Sequence, residues 1–263
     1  MKLHSICLLV FFFWTRGAYA SVLDVNLNTA GLFAVLAGST VTNTGASSIY
    51  GELGVWAGTA ITGFPPGVVT GTIHDADAAA MQAESDLTTA YDVAAGETCG
   101  SALTGQDLGG LTLTPGVYCF ASSAQLTGTL TLNDQGDPNA VFVFQIGSTL
   151  TTASSSSVVF TNGDQTDNVF WQVGSSATLG SATEFAGNIL ALTSITLDTG
   201  ANVQCGSALA SNGAVTMNTN NVAISGCETT TGSTPEPGTA MLFGTGLFLS
   251  LAEFMRRSRK GAT

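Results

Sequence analysis

The 263-residue sequence is acidic and poor in charge, with a formal net charge of −12 and 9% charged residues. All six basic residues lie near the two ends, so no Lys or Arg stands between Ser21 and Ala252. This long span therefore lacks the side chains that bind nucleic-acid phosphates or that clamp phosphorylated and carboxylate substrates.

Residues 1–20 have the three parts of a secretory signal peptide. Lys2 is the positive end, Ile6–Trp14 the apolar core, and Ala18-Tyr19-Ala20 the small-x-small cleavage site. A transmembrane anchor fits less well because the apolar run is short. The sequence thus predicts export.

Four cysteines remain after the signal peptide, and export favours disulfide bonds between them. Cys205 and Cys227 follow threonines of neighbouring repeats by similar distances, so we pair them, which leaves Cys99 with Cys119. A metal site is the alternative, but the spacing does not suit one and His74 is the only other candidate ligand histidine.

In the region after the signal peptide, one helical pattern interrupts the strand patterns. Residues 22–71 mix apolar residues with Gly, Thr and Asn, which is typical of short strands and turns. In residues 73–95 apolar positions recur every three or four residues, which predicts one amphipathic helix with an Ala-rich face. Thr72 can cap this helix, and we interpret His74 as a surface or capping residue.

Strand patterns resume at Leu111 and continue to about Gly226, in a composition rich in Gly, Thr, Ser, Ala and Val. Phe142–Ile146 and Asn168–Val173 are apolar on both faces, so we expect them to be buried on both sides, with the helix covering one of them.

A Thr followed by Leu or Met recurs about every 20 residues in this region. The spacings are 19, 18, 29, 18 and 20 residues between Thr112, Thr131, Thr149, Thr178, Thr196 and Thr216. Such a period predicts a β-solenoid, whose coils bury their apolar sides by stacking. Residues 21–228 are thus expected to form one domain.

The C-terminal part has a different character. Residues 229–234 are polar and predict a flexible linker. The tail at 235–263 contains Pro235-Glu236-Pro237, an apolar segment at 240–255 and then a basic cluster. This order resembles the PEP-CTERM sorting signal of exporting Gram-negative bacteria. The resemblance implies transient inner-membrane anchoring, cleavage by a membrane protease, and delivery to the envelope or outside.

The side chains present give little support for a catalytic function. A Ser or Cys nucleophile needs a base, and His74 is the only histidine after the signal peptide. The acidic residues are scattered over turns, which indicates solvated surface charge rather than a hydrolytic carboxylate pair. No calcium-loop pattern is found. We therefore expect no enzymatic activity and no metal site.

Outward threonines on stacked coils would form a regular array, since neighbouring strands lie ~4.8 Å apart. Rows of hydroxyls and methyls with little charge can hold ordered water. The alternative is that Thr merely suits β-strands by propensity.

Several stretches, in the same order along the chain, resemble the family of microbial ice-binding, or antifreeze, proteins. They are Thr59–Gly67, Leu113–Phe120, Phe142–Ser148, Asn168–Ser176 and Phe185–Leu197. The resemblance implies a discontinuous right-handed β-solenoid, triangular in section, with one long α-helix packed along its side. It also implies a flat ice-binding face, no enzymatic activity and no cofactor.

The family's Thr-Ala/Gly-x-Thr/Asn pattern at the edge of that face indicates particular residues. Thr199–Asn202 match it fully, and Thr152–Ser155 and Thr44–Ser47 match with Ser in the last position. Ser181–Glu184 depart from it and place a carboxylate in the array, which predicts a moderate binder. The predicted ice-contacting residues are Thr44, Ser47, Thr152, Ser155, Thr183, Thr199, Asn202 and Thr219 at turns, and Thr178, Thr196 and Thr216 on strands. The sequence leaves open whether the strand threonines share that face or lie on its neighbour.

The sequence thus predicts an exported ice-binding protein, monomeric after processing, that inhibits ice growth or recrystallisation. The alternative is a non-enzymatic envelope or adhesive protein that binds a glycan or biofilm component on the same scaffold. An envelope-polysaccharide hydrolase is a third class. Exposed aromatic residues on the flat face would favour the glycan binder, and a carboxylate pair in a cleft would favour the hydrolase.

Overall fold

The computed structural model describes residues 25–163 and 168–225. A 3-10 helix at Asn28–Leu32 precedes β1 (Phe33–Ala37), β2 (Thr40–Thr44), β3 (Ser48–Tyr50), β4 (Glu52–Val55), β5 (Ala60–Thr62), β6 (Val68–Val69), β7 (Ile73–Asp75) and helix α1 (Ala78–Gly96). The strands after α1 are β8 (Ser101–Ala102), β9 (Thr112–Leu113), β10 (Gly116–Phe120), β11 (Ala124–Leu126), β12 (Thr129–Asn133), β13 (Phe142–Ile146), β14 (Leu150–Thr152), β15 (Ser157–Thr161), β16 (Val169–Val173), β17 (Ala177–Leu179), β18 (Glu184–Ala186), β19 (Asn188–Ala191), β20 (Ile195–Leu197), β21 (Asn202–Gln204), β22 (Ala208–Ala210), β23 (Val215–Asn218) and β24 (Asn221–Ala223).

The strands pair in parallel and form three sheets. Sheet A has the order β7-β4-β1-β22-β19-β16-β13-β10-β8, sheet B β11-β14-β17-β20-β23-β2-β5, and sheet C β6-β3-β24-β21-β18-β15-β12-β9. From β10 onward, successive strands pass from sheet A to sheet B to sheet C, so each coil adds one strand to every sheet. The prediction of a mainly β chain with parallel stacked strands and one long helix is confirmed.

The stack is discontinuous in sequence because the first coil docks on the last one. Val35 pairs with Ala208, Val41 with Val215, and Ile49 with Val222. An open strand edge would expose unpaired backbone N–H and C=O groups. This docking therefore gives β22, β23 and β24 a hydrogen-bonded neighbour on their otherwise free side.

Apolar side chains from all three sheets meet inside the coils. Tyr118, Phe144 and Trp171 occupy one register position on β10, β13 and β16, and their rings stack at centroid distances of 5.5 and 3.9 Å. The Trp171 indole N–H donates to the carbonyl of Ala186 at 3.0 Å. Burying a large apolar side chain stabilises a fold by about 1.5–3 kcal/mol, so these rings tie three successive coils together.

Helix α1 covers the outer surface of sheet A. Its buried stripe is Ala80, Ala83, Leu87, Ala90 and Ala94. This stripe packs in a cluster with outward side chains of sheet A, among them Val143 on β13 and Phe170 on β16. Both strands are thus buried on both sides, as their sequence predicts.

The start of α1 differs from the predicted one. Ile73–Asp75 pair with β4 as strand β7, so the helix begins at Ala78 rather than near residue 73. Its cap is Asp77 and not Thr72, because the Asp77 carboxylate accepts hydrogen bonds from two backbone N–H groups of the first turn at 3.0 Å. The N–H of Ala80 and the neighbouring His74 lower the pKa of Asp77. The half-buried His74 imidazole lies between Asp77, 2.8 Å away, and Glu52, 3.5 Å away.

The predicted threonine alignment combines two different sheets and is wrong in part. Thr112 and Thr131 pair with each other on sheet C, whereas Thr178, Thr196 and Thr216 pair on sheet B. The partner of Thr178 is Thr151 and not Thr149. The error has a simple cause: each coil can present a Thr-Leu step in either sheet, and both sheets repeat with nearly the same period.

Cys99 and Cys119 form the predicted disulfide, with Cα atoms 5.9 Å apart. Cys205 is also disulfide-bonded, while Cys227 lies outside the described residues. The predicted signal peptide at 1–20, linker at 229–234 and tail at 235–263 lie outside them as well. In the part of the chain that the structure describes, no helix is long and apolar enough to span a bilayer.

Candidate functional site

The outer surface of sheet B carries a row of threonines in register. Backbone pairing connects, strand by strand, Thr62, Thr42, Thr216, Thr196, Thr178 and Thr151, and the row ends at Gln125. Neighbouring parallel strands lie ~4.8 Å apart. We call these six residues the threonine row.

The hydroxyls of the threonine row are available to solvent. Within residues 25–163 and 168–225, none of the six hydroxyls is hydrogen-bonded to another protein group. The residues just before them on the strands, such as Val41, Ile195 and Val215, are fully buried. Because side chains alternate along a strand, burial of these neighbours directs the threonines outward. A β-branched side chain also has few χ1 rotamers, so the hydroxyls and methyls are held in a rigid array.

Small side chains flank the threonine row on both sides. Two residues before Thr42, Thr216, Thr196, Thr178, Thr151 and the terminal Gln125 stand Thr40, Ala214, Ser194, Ser176, Thr149 and Ser123, and two residues after them Thr44, Asn218, Asp198, Gly180, Ala153 and Thr127. At the Thr62 end the corresponding residues are Ala60 and Phe64, and Phe64 packs against the core. Several of these groups bond to each other, as Thr149 Oγ1 donates to Ser123 Oγ at 2.8 Å. Asp198 is the one charged residue among these flanking positions. The surface is therefore flat, polar and nearly uncharged.

Three of the predicted site residues belong to the threonine row: Thr178, Thr196 and Thr216. Another three, Thr44, Thr199 and Thr219, are exposed where the chain turns from sheet B to sheet C. These turns stack on each other, since the N–H of Thr219 donates to the carbonyl of Thr44 at 3.0 Å. The Asn218 side-chain amide also donates to Thr199 Oγ1 at 2.8 Å. The fold thus brings these six residues onto one surface and its edge.

Ser47, Thr152 and Thr183 do not reach the surface, contrary to the prediction of surface contact. Their exposed fractions are 1%, 3% and 0%. Thr152 Oγ1 lies 2.9 Å from Thr183 Oγ1 and accepts from the backbone N–H of Gly180 at 2.9 Å. Ser47 Oγ likewise accepts from the N–H of Asn220 at 2.9 Å. These hydroxyls satisfy buried polar groups at the corners between sheets B and C.

The remaining predicted residues lie away from the threonine row. Ser155 is exposed at a turn, with a positive φ of 59°. Asn202 is on sheet C, where its side chain donates to Glu184 Oε1 at 2.8 Å. The Glu184 carboxylate, which the sequence placed in the array, therefore lies on sheet C and leaves the outer surface of sheet B free of its charge.

Sequence reasoning missed Thr42, Thr62 and Thr151. A signal for Thr151 was present, because Leu150-Thr151-Thr152 aligns with Ala177-Thr178-Leu179 when the apolar residue before the threonine is matched. Thr42 and Thr62 lie before α1, and only the docking of the first coil on the last one brings them into the row.

The carboxylates with raised pKa are remote from this surface. Burial raises the pKa of Glu84, on α1, to about 8 and that of Asp134, after β12, to about 6. A shallow groove of about 480 Å³ beside Thr196 and Thr216 contains Asp198 as its one carboxylate. The strands of sheet B contain no aromatic residue. The surface thus lacks the features that would favour a hydrolase or a glycan binder.

These observations place the chain in the class of stacked-coil β proteins with a flat, hydroxyl-rich face. Residues 35–223 match a family model described as Ice-binding-like, and the chain belongs to that family. An ice-binding protein of Nostoc sp. (strain HG1) is 60% identical over 239 residues, which cover 89% of this chain and 88% of the relative.

Solved structures of ice-binding proteins share the fold. The crystal structure of an ice-binding protein from an Antarctic biological consortium is 50% identical, with a TM-score of 0.74 over 76% of this chain and 90% of that chain. The ice-binding protein of the Antarctic ascomycete Antarctomyces psychrotrophicus is 42% identical, with a TM-score of 0.73 over 76% of this chain and 98% of that chain.

Proposed function

We propose that this chain is an exported, non-enzymatic ice-binding protein whose right-handed, triangular β-solenoid adsorbs to ice through the outer surface of sheet B. Adsorption would inhibit ice growth or recrystallisation. The observation that carries the proposal is the threonine row, six hydroxyls in register with no protein partner among the described residues.

The geometry explains why such a surface suits ice. Hydroxyls ~4.8 Å apart across strands, and outward positions roughly 6.6 Å apart along each strand, form a two-dimensional lattice. Each hydroxyl can hold an ordered water by hydrogen bonds. The methyl groups between them offer no competing polar group. One such contact is weak, but rigid contacts that engage together add up to strong adsorption.

The turns at the edge of the surface also expose threonine side chains. Thr44, Thr199 and Thr219 are exposed along the turn that borders the threonine row. Asp198 stands between them and the row and carries a hydration shell that is costly to remove. We assign Thr44, Thr199 and Thr219 to the ice-contacting surface and expect Asp198 to limit the strength of adsorption.

The proposal also includes export of the chain and its transient anchoring in the inner membrane. The signal peptide at 1–20 would direct secretion in a Gram-negative bacterium, and the tail at 235–263 would anchor the chain briefly in the inner membrane until a membrane protease cleaves it. The mature protein would then act as a monomer in the envelope or outside the cell. The Cys99–Cys119 disulfide suits an oxidising compartment.

The test compares the same substitution on two sheets. Thr196→Tyr places a bulky ring in the middle of the threonine row, whereas Thr131→Tyr places it on the outer surface of sheet C. We expect Thr196→Tyr to lose most thermal hysteresis and recrystallisation inhibition, and Thr131→Tyr to keep both. Equal activity of the two folded variants would reject sheet B as the ice-binding face, and an inactive parent protein would reject the proposed function.

A further inference from the structure

A second cavity lies between helix α1 and the edge of sheet A at which the chain passes from sheet A to sheet B. Strands β19, β22, β1 and β4 end side by side at Ala191, Ala210, Ala37 and Val55. The residues that follow these strand ends, among them Leu192, Ser211 and Trp56, line a cavity of about 330 Å³ against the helix. No residue of the threonine row lines it.

The helix contributes a buried carboxylate to this cavity. Glu84 is 7% exposed, and its Oε1 has no hydrogen-bond partner in the described part of the chain. The buried Ser211 Oγ on the opposite wall also lacks a partner there. A buried carboxylate is costly unless a cation or a hydrogen-bond donor compensates it. His74 is the one basic side chain among the described residues, and it lies against Asp77 and Glu52 instead.

Two aromatic side chains line the same cavity as the carboxyl group of Glu84. Trp56 and Tyr91 are half-buried, and both line the cavity together with Glu84. Glu84, Thr88 and Tyr91 are spaced i, i+4 and i+7, so they share one face of α1. Aromatic faces next to a carboxylate attract cations, above all alkylated ammonium ions whose methyl groups tolerate desolvation.

A hydrolytic role does not fit the two carboxylates of the cavity. Glu84 and Asp92 are eight residues apart on α1, which is about 12 Å along the helix axis. Hydrolytic pairs need a carboxyl separation of roughly 5–9.5 Å. A neutral sugar would contact the aromatic rings but would supply no positive charge to stabilise the ionised form of Glu84.

We infer that this cavity binds a small organic ammonium ion, with Glu84 as the counter-ion and Trp56 and Tyr91 as the aromatic walls. The ligand class is a quaternary or tertiary ammonium of the size of tetramethylammonium or choline. The site is separate from the ice-binding surface and does not depend on the proposed function.

Binding of a cation is coupled to the proton of Glu84. Burial raises the pKa of this carboxyl to about 8, so the empty site is protonated at neutral pH and a bound cation favours the ionised form. Affinity should therefore rise with pH up to about 8, and binding at neutral pH should release a proton. Asp92 and Tyr91, both on α1, are the other titratable groups that line the cavity. The strand-end residues facing Glu84, which include Trp56, Leu192 and Ser211, carry no charge.

The experiment is isothermal titration calorimetry of the purified protein with choline and with its uncharged isostere dimethylbutanol. We expect choline alone to bind, with proton release detected as a buffer-dependent heat. Glu84→Gln and Trp56→Leu should each weaken binding about tenfold or more. Asp86→Asn, which removes a charge elsewhere on α1, and Thr196→Tyr should leave binding unchanged.

Several results of these titrations would overturn the inference. Equal binding of choline and dimethylbutanol, no binding of either, or a folded Glu84→Gln protein with unchanged affinity would overturn the inference. Binding of N-acetylglucosamine that survives Glu84→Gln would identify a sugar site and would overturn it too. Proton release is measured on the unsubstituted protein, so the test stands even where a variant does not fold.

Discussion

Thr178 and Thr196 lie directly opposite each other on the adjacent parallel strands β17 and β20, and both side chains emerge on the outer surface of sheet B. They are 18 residues apart in sequence but one strand spacing apart in the fold. The same relation repeats from Thr196 to Thr216 and from Thr216 to Thr42. A surface that is regular over six strands thus arises from residues on both sides of the helix in sequence.

The contribution of the hydroxyls of the threonine row to ice binding can be measured separately from that of the surface shape. Thr178→Val keeps the β-branched form and removes the hydroxyl alone. We expect thermal hysteresis to fall by roughly half, since one water anchor is lost while the surface stays flat. The matched control is Thr131→Val on sheet C, which should leave thermal hysteresis unchanged. Full activity of Thr178→Val would show that the methyl groups are sufficient.

Thr151 and Thr152 are adjacent in sequence but face opposite sides of sheet B. Thr152→Val leaves the N–H of Gly180 without its acceptor and the Thr183 hydroxyl with only its bond to the Ala153 carbonyl, and an unsatisfied buried group costs about 1–3 kcal/mol. Thr151→Val should change the free energy of unfolding by less than about 0.5 kcal/mol but reduce thermal hysteresis. Urea unfolding and thermal hysteresis of both variants check this expectation. A large loss of stability in Thr151→Val, together with a loss of thermal hysteresis only in Thr152→Val, would contradict the register of β14.

Glu84 should make the protein less stable as pH rises. Its folded pKa of about 8 lies above the ordinary value of 4.5, so between these values the folded protein holds a proton that the unfolded chain releases. Stability from this group is present below about pH 4.5 and is lost as pH rises toward 8. Asp134, with a pKa raised to about 6, contributes in the same direction.

Glu84→Gln should remove most of this slope. We expect the variant to be more stable than the unsubstituted protein at pH 8.5 by about 2–4 kcal/mol, and of similar stability near pH 4.5. Urea unfolding at several pH values measures the difference. Asp86→Asn is the control on the same helix, because hydrogen bonds from Thr29 lower the pKa of Asp86 and so give it the opposite pH dependence. Parallel pH profiles for the Glu84→Gln and unsubstituted proteins would show that Glu84 is solvated.

The Cys99–Cys119 disulfide should affect stability more than activity. It links the segment after α1 to β10, near one end of the stack. Replacing both cysteines by Ser should lower the free energy of unfolding by about 3 kcal/mol, the value for a loop of this length. Thermal hysteresis below the melting temperature should change little, because the threonine row lies on sheet B. A comparison of the oxidised and double-Ser proteins in urea unfolding and thermal hysteresis tests both statements.

Much of the fold follows from the sequence alone. The spacing of alanines in residues 73–95 predicts a helix with one smooth face, although not its start, and the two-sided apolar character of Phe142–Ile146 predicts burial on both sides. The period of about 20 residues indicates stacked coils, and the lack of Lys and Arg between Ser21 and Ala252 argues against nucleic acid and other anionic ligands. These are local or compositional properties, so they can be recognised without knowing which strands are neighbours.

The tertiary structure decided the surface itself. Side chains alternate along a strand, so a shift of one residue moves a threonine from solvent to core, as Thr151 and Thr152 demonstrate. Parallel pairing between distant segments put Thr42 beside Thr216 and Thr62 beside Thr42, and it placed Thr112 and Thr131 on another sheet. Register depends on core packing and backbone hydrogen bonds summed over all coils. A single 20-residue repeat does not contain that information, whereas the folded stack does.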